Sequence, residues 1–190
     1  MRSIIFYLAL WALCITYGCG NEAVLSTGHA TAQGGAGISV ASLMAEKPGA
    51  VLLFLAPECP LCQNYAPVLR DMAPDYAEMD VPLVGVVSGT YYSAEEVNNF
   101  MFFHHLDFPV LLDPGFELSR HFGATITPEA VLIDSTGAMI YRGAIDNWAI
   151  SLGRKRLRPT AHYLADATDA YLKGKPVPLR TTDAVGCFIE

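Results

Sequence analysis

Charge is scarce in this chain. Of its 190 residues, 16% are Asp, Glu, Lys or Arg, while 52% are hydrophobic. That balance argues against a disordered or tail-like protein, because so much apolar surface can offset the entropy lost on folding. Basic residues are the rarer sign: 12 Lys and Arg stand against 19 Asp and Glu, for a net charge of −7. Such a chain repels nucleic acid, so nucleic acid is not expected as a partner. The one basic cluster, Arg154-Lys155-Arg156 with Arg158, is local and reads as a solvated loop. Internal repeats are missing, and the length suits one domain with a sizeable core rather than two large ones.

Cysteine is sparse as well, with five in the chain. There is no second CxxC and no spaced His pair, so Cys59-Pro60-Leu61-Cys62 has nothing in the sequence to complete a four-ligand zinc site. His104, His105, His121 and His162 show no ligand spacing among themselves. His104 reads as a packed helix residue, and no metal is expected. A copper-binding carrier would need a His brought to the cysteines from elsewhere in the fold.

The N-terminal apolar run, Ile4 to Tyr17, has 14 residues, too few for a comfortable membrane span. It follows Arg2 and ends at Tyr17-Gly18-Cys19-Gly20. This resembles a bacterial lipoprotein signal, with residues 1–18 removed and Cys19 carrying the lipid. Ordinary secretion and a retained anchor are the other readings. All three place the domain outside the cytoplasm, on the periplasmic side of a bacterial membrane, where disulfides persist. Residues 19–37 are rich in Gly, Ala and Thr, without apolar periodicity, and are expected to form a flexible tether. Residues 38–190 are expected to form one domain.

Within that domain strands and helices alternate. Ala50 to Ala56 is a continuous apolar strand, as in a sheet buried on both faces. Pro60 to Tyr76 carries Cys62, Tyr65, Ala66, Leu69, Met72, Ala73 and Tyr76 on one helical stripe. Pro82 to Val87 is the next strand, and Ser93-Ala94-Glu95-Glu96 is a capping box opening a helix to about Leu106. A short strand, Phe108 to Leu112, and a brief helix, Phe116 to Phe122, follow. Glu129 to Ile133 and Ala138 to Arg142 flank the turn Asp134-Ser135-Thr136-Gly137 as a hairpin, and Thr160 is expected to cap a last helix reaching Leu172. The pattern is α/β, a sheet with helices on both faces.

Two thiols separated by two residues at a strand-to-helix junction can close a disulfide, and the helix start favours the thiolate of the first. Cys59 is therefore expected to attack and Cys62 to resolve. Pro60 suits the first helical position, where no N–H is needed. Glu58, a neighbouring carboxylate, should weaken thiolate stabilisation at Cys59. With Cys14 in the apolar run and Cys19 lipidated, Cys187 remains as either a small apolar residue or a third exchanging thiol.

Strand, CxxC and helix, with Pro67 five residues after Cys62 and Thr127-Pro128 before a later strand, together resemble the thioredoxin fold. More narrowly, Pro-Glu-Cys-Pro-Leu-Cys-Gln-Asn-Tyr-Ala-Pro, Thr-Pro-Glu-Ala-Val-Leu-Ile-Asp, Tyr-Arg-Gly-Ala-Ile-Asp-Asn and the terminal Val-Gly-Cys-Phe-Ile-Glu are similar to exported redoxin-domain proteins. These belong to the alkyl-hydroperoxide-reductase/thiol-specific-antioxidant (peroxiredoxin-like) superfamily. The resemblance covers about residues 45 to 190. It implies a thioredoxin-like fold with a central mixed sheet, and Thr127 with a cis Pro128 as the docking edge for a partner. It also implies thiol–disulfide oxidoreductase chemistry through transient mixed disulfides with redox protein partners. No cofactor is needed, since the disulfide carries the electrons. Glu58 and Pro60-Leu61 depart from the thioredoxin pattern. Leu52 and Ala56 before Cys59, and Leu55 and Cys59 before Cys62, occupy positions where a peroxiredoxin has Pro and Thr or Ser. A peroxidase using the same cysteines is thus the alternative, without a peroxiredoxin-type site.

Overall fold

The apolar run before the paired cysteines becomes strand β1, Gly49–Phe54, with every residue buried. Its side chains alternate between two cores, as the period of a strand requires. Val51 and Leu53 enter one core, and Ala50, Leu52 and Phe54 the other. This computed structural model describes residues 19–27, 29–31 and 37–190. The signal-like residues 1–18 lie outside the described residues. Among the described residues no helix is long and apolar enough to cross a membrane.

In chain order the elements are α1 (Cys19–Ser26), α2 (Val40–Leu43), β1, α3 (Pro60–Glu78), β2 (Leu83–Ser88), α4 (Ala94–Phe103), β3 (Val110–Asp113) and α5 (Glu117–Phe122). Then come β4 (Ile126–Thr127), β5 (Glu129–Asp134), β6 (Met139–Gly143), β7 (Ala149–Ser151), β8 (Arg154–Lys155), α6 (Tyr163–Leu172) and β9 (Cys187–Phe188). The main sheet has the order β3-β2-β1-β5-β6. β2 runs parallel to β1 and β3, whereas β5 is antiparallel to β1 and to β6. Buried residues of α3, α4 and α6 fill one core, and those of α1, α2 and α5 fill the other. The result is an α/β thioredoxin-like fold with a mixed central sheet flanked by helices.

Local signals explain most of the boundaries. Ser93 and Glu96 form the expected capping box at α4, with the Glu96 amide donating to Ser93 Oγ at 3.2 Å and the Ser93 amide donating to Glu96 at 2.8 Å. The Asp134 carboxylate accepts from the Thr136 and Ala138 amides at 2.8 and 2.9 Å, closing the β5–β6 turn. At α5 the cap comes from farther back, because Phe116 has no side chain able to accept. Fully buried Asp113 accepts from the amides of Glu117, Leu118 and Ser119 instead.

Two expectations fail. Thr160 does not cap the last helix; His162 holds that position, while Thr160 is tied to the Asn147 side chain through its amide and its hydroxyl. The described part of residues 19–37 is not a free tether. Cys19–Ser26 is helical, and Leu25 is buried against Gly137, where a Cβ would lie 2.0 Å from Leu25 Cδ1. His29 pairs antiparallel with Ile38, and the Leu112 amide donates to the Ala30 carbonyl at 2.9 Å, so this stretch extends the sheet beyond β3. Two adjacent apolar side chains, Val24 and Leu25, plus main-chain pairing leave no periodic trace in a sequence.

After α6 the chain returns along β6. The Arg142 amide donates to Arg180 O at 3.0 Å, and the Thr182 amide donates back to Arg142 O at 3.1 Å. The Thr182 hydroxyl meets the Tyr141 hydroxyl at 2.6 Å and accepts from the Ala144 amide at 3.0 Å. These contacts carry the C-terminus to β4, where β9 pairs with it antiparallel, Ile126 opposite Phe188 and Thr127 opposite Cys187.

Candidate active site

Cys59 sits at the N-cap of α3 with extended backbone, and Pro60 occupies the first helical position. There the missing proline N–H costs nothing, since it would have had no partner within the helix. Pro67 and Pro74 lie further along the same helix, each leaving one carbonyl a turn earlier without its helical donor. The loop between β1 and α3 is held from within. The Cys59 amide donates to Ala56 O at 3.1 Å, and the Gln63 side chain donates to Pro57 O at 2.9 Å. Cys62, one turn into the helix, is fully buried, and the Ala56 amide donates to its sulfur at 3.4 Å.

Facing this pair is the loop before β5, whose Thr127–Pro128 peptide is cis. Cys59 Sγ lies 3.1 Å from Thr127 O, a bond the protonated thiol donates, and this contact joins two segments 68 residues apart. Glu129 braces that loop from behind. Its buried carboxylate accepts from the Thr125 and Ile126 amides at 2.9 and 3.3 Å and pairs with Arg142 Nε at 3.5 Å. Arg142 in turn donates to the carbonyls of Phe122 and Gly123. On the other side of Pro128, the Tyr65 hydroxyl donates to buried Asp146 at 2.6 Å, and the Trp148 amide donates to the same carboxylate at 2.8 Å. Tyr65 therefore ties α3 to the loop after β6, a structural role.

The sequence left Cys187 open, and the structure places it at the site. Cys59, Cys62 and Cys187 are all free thiols, and Cys59 and Cys187 line the same cavity. Cys59 is pushed down to about 4, foremost by the hydrogen bond from Cys62 working against desolvation, then by those from Cys187 and the Cys62 amide. Cys62 is pushed well above the ordinary thiol value by burial and then by the neighbouring Cys59. Cys187 is raised to about 11, again by burial first and Cys59 second. This corrects the expectation for Glu58. The neighbouring thiols dominate the acidity of Cys59, and Glu58 merely lines the adjacent cavity of about 270 Å³ together with Tyr91, Tyr92 and Glu190.

A second correction concerns access. The edge of β4 expected to receive a partner is already paired with β9, and Cys59 is only 2% exposed. Gly186 permits the approach, because a Cβ there would lie 1.9 Å from Thr127 O. His104 caps the C-terminal end of α4, packed against Phe100 and Phe103. Among the described residues no group of three His, Cys, Asp or Glu side chains is arranged to hold a metal ion.

A buried strand leading into a CxxC at a helix start, faced by a cis-proline loop, defines a thioredoxin-fold site with the parts for disulfide exchange. The chain belongs to the Redoxin family, which matches residues 20–148. It is 30% identical over 92 residues to the thiol-disulfide oxidoreductase ResA of Bacillus cereus, 48% of this chain and 52% of the relative. The match thus spans about half the length of that protein. Among solved structures it is similar to a conserved Geobacillus kaustophilus protein, with TM-score 0.77 and 24% identity over 86% of this chain and 87% of the other. The Sinorhizobium meliloti protein SMc02350 gives TM-score 0.72 and 26% identity over 87% and 93%.

Proposed function

We propose that this chain is a thiol–disulfide oxidoreductase that exchanges disulfides with protein partners outside the cytoplasm. The observation that carries the reading is the division of labour between the paired cysteines. Cys59 sits at the helix start with its pKa lowered, and Cys62 is fully buried one turn behind it with its pKa raised. Attack by the Cys59 thiolate on a partner disulfide forms a Cys59–partner bond and expels one partner sulfur as a thiolate. Cys62 then gives up its proton and attacks Cys59 Sγ, which closes the Cys59–Cys62 disulfide and releases the second partner sulfur. Two electrons pass from the cysteine pair to the partner, and the reverse sequence oxidises a partner dithiol.

Kinship with ResA supports this chemistry. The apolar run of residues 4–17 ending at Cys19 supports export and lipid attachment. With Cys19 opening α1, a lipid there would hold the domain close to the bilayer.

The test is equilibration of the full-length chain with glutathione or dithiothreitol buffers of graded potential, with the Cys59–Cys62 couple followed by acid-quenched alkylation. A single two-electron transition that vanishes in Cys59→Ser is expected. Its position separates an oxidant, near about −120 mV, from a reductant, near about −270 mV. If wild type shows no reversible transition in that range, the oxidoreductase reading is wrong.

A further inference from the structure

A cysteine near a chain end needs no redox role, and Cys187 lies beyond residues 20–148, the part matched by the family. Its placement is what gives it one. β9 occupies the β4 edge along which a partner's extended segment would lie, with Cys187 directly opposite Thr127. The carbonyl of that same Thr127 lies 3.1 Å from Cys59 Sγ, and Cys59, Thr127 and Cys187 line one cavity. Gly186 lets the strand come this close, and the Ile189 amide secures its far end on Thr125 O at 2.9 Å. The chain's own C-terminal strand thus stands in the place of a substrate strand and presents a sulfur to Cys59.

We propose that Cys187 is a third redox-active thiol, which accepts the disulfide from Cys62 and so bonds β9 over the site as a closed, partner-excluding form. The inference rests on the exchange reading above. In the step, the Cys187 sulfur loses its proton and attacks Cys59 Sγ of the Cys59–Cys62 disulfide. The Cys187–Cys59 bond forms as the Cys59–Cys62 bond breaks, and Cys62 leaves as a thiolate that takes up a proton. No electrons enter or leave, so no outside oxidant is required. The same attack on a Cys59–partner bond releases the partner, so Cys187 also stands as an alternative to Cys62 in resolving mixed disulfides. Burial favours Cys62 as the neutral thiol at the end of this step. Once Cys59 is in a disulfide, its charge no longer opposes ionisation of Cys187, leaving only desolvation against it.

Oxidised glutathione is the probe, applied to the full-length chain and read by mass spectrometry without reductant after acid quenching. In Cys62→Ser, Cys59 takes one glutathione, and Cys187 should then expel it. The expected product is a chain lighter by two hydrogens, with Cys59 joined to Cys187 and both glutathione halves released. Cys62→Ser combined with Cys187→Ser should stop at a stable glutathione adduct, with only one half released. In oxidised wild type, which needs no altered residue to fold, a digest should contain a peptide joining Cys59 to Cys187. A stable adduct on Cys62→Ser alone, or a wild-type digest without the joined peptide, overturns the role of Cys187 while leaving the exchange reading standing. Failure of wild type to release any glutathione overturns the exchange reading and this inference with it.

Discussion

Thr127 and Cys187 stand opposite each other in the β4–β9 ladder, and the carbonyl of Thr127 also accepts the Cys59 thiol at 3.1 Å. One residue therefore touches both the paired cysteines and the C-terminal strand. Whatever loosens β9 changes the surroundings of Cys59, and whatever charges Cys59 is felt at Cys187. Three outcomes follow from this coupling and from the brace behind it.

Gly186→Val should detach β9. Its side chain would have to occupy space 1.9 Å from Thr127 O, which main chain cannot yield cheaply. Cys59, 2% exposed in the closed arrangement, should then react faster with iodoacetamide than in wild type. Global stability should fall by only about 1–2 kcal/mol, as for loss of a peripheral contact. An unchanged alkylation rate in a folded variant would show that β9 does not shield the site.

The thiolate at Cys59 predicts a pH signature. Its folded value of about 4 lies below the ordinary 9.0, so between those limits the unfolded reduced chain binds one proton more than the folded one. Stability of the reduced protein should therefore rise with pH across that window and be lost as pH falls through about 4. Above about 9 the sign should reverse, because Cys62 and Cys187 are raised in the fold and are protonated where the unfolded chain is not. Urea midpoints against pH, for wild type and Cys59→Ser, test this, and the acid-side slope attributable to Cys59 should disappear in the variant. The reduction potential offers a second reading. One proton per two electrons gives about −30 mV per pH unit near neutrality, whereas a slope of about −59 mV would mean that both thiols are protonated.

Glu129→Gln should loosen the loop that carries the cis peptide. The amide can accept from only one side and leaves Arg142 without its counter-charge, while the Thr125 and Ile126 amides lose a shared carboxylate. A cost of about 2 kcal/mol is expected, since charge-assisted bonds and a half-buried pair are involved. Hydrogen exchange should locate it, with protection lost at Thr125 and Ile126 before the strands of the main sheet. Uniform loss across the sheet would instead make Glu129 a general core support.

Elements set by neighbours in sequence were legible from the residues themselves. The apolar run became β1, the capping box opened α4, and the CxxC fell at the start of α3 because Pro60 and the periodic stripe behind it mark a helix N-terminus. The misreadings share a different origin. Residues 19–27 and 29–31 are held by Val24 and Leu25 and by main-chain pairing to a strand about 80 residues away, and Thr160 is drawn off the start of α6 by the Asn147 side chain. Main-chain pairing has no side-chain code, so composition described that N-terminal stretch as a tether.

The sequence by itself determined the chemistry on offer, two thiols one helical turn apart behind a buried strand, because spacing and periodicity are local properties of the chain. It could not set the acidity of Cys59, for which the carboxylate next door was the visible neighbour and the decisive ones were Cys62 and a cysteine 128 residues later. Nor could it say whether the docking edge is open. Only the tertiary structure decided that, by running the C-terminal segment along β6 and laying Gly186 and Cys187 against Thr127. A hydrogen bond to a thiol and a strand laid on an edge depend on ångström-scale distance, and separation in sequence does not encode it.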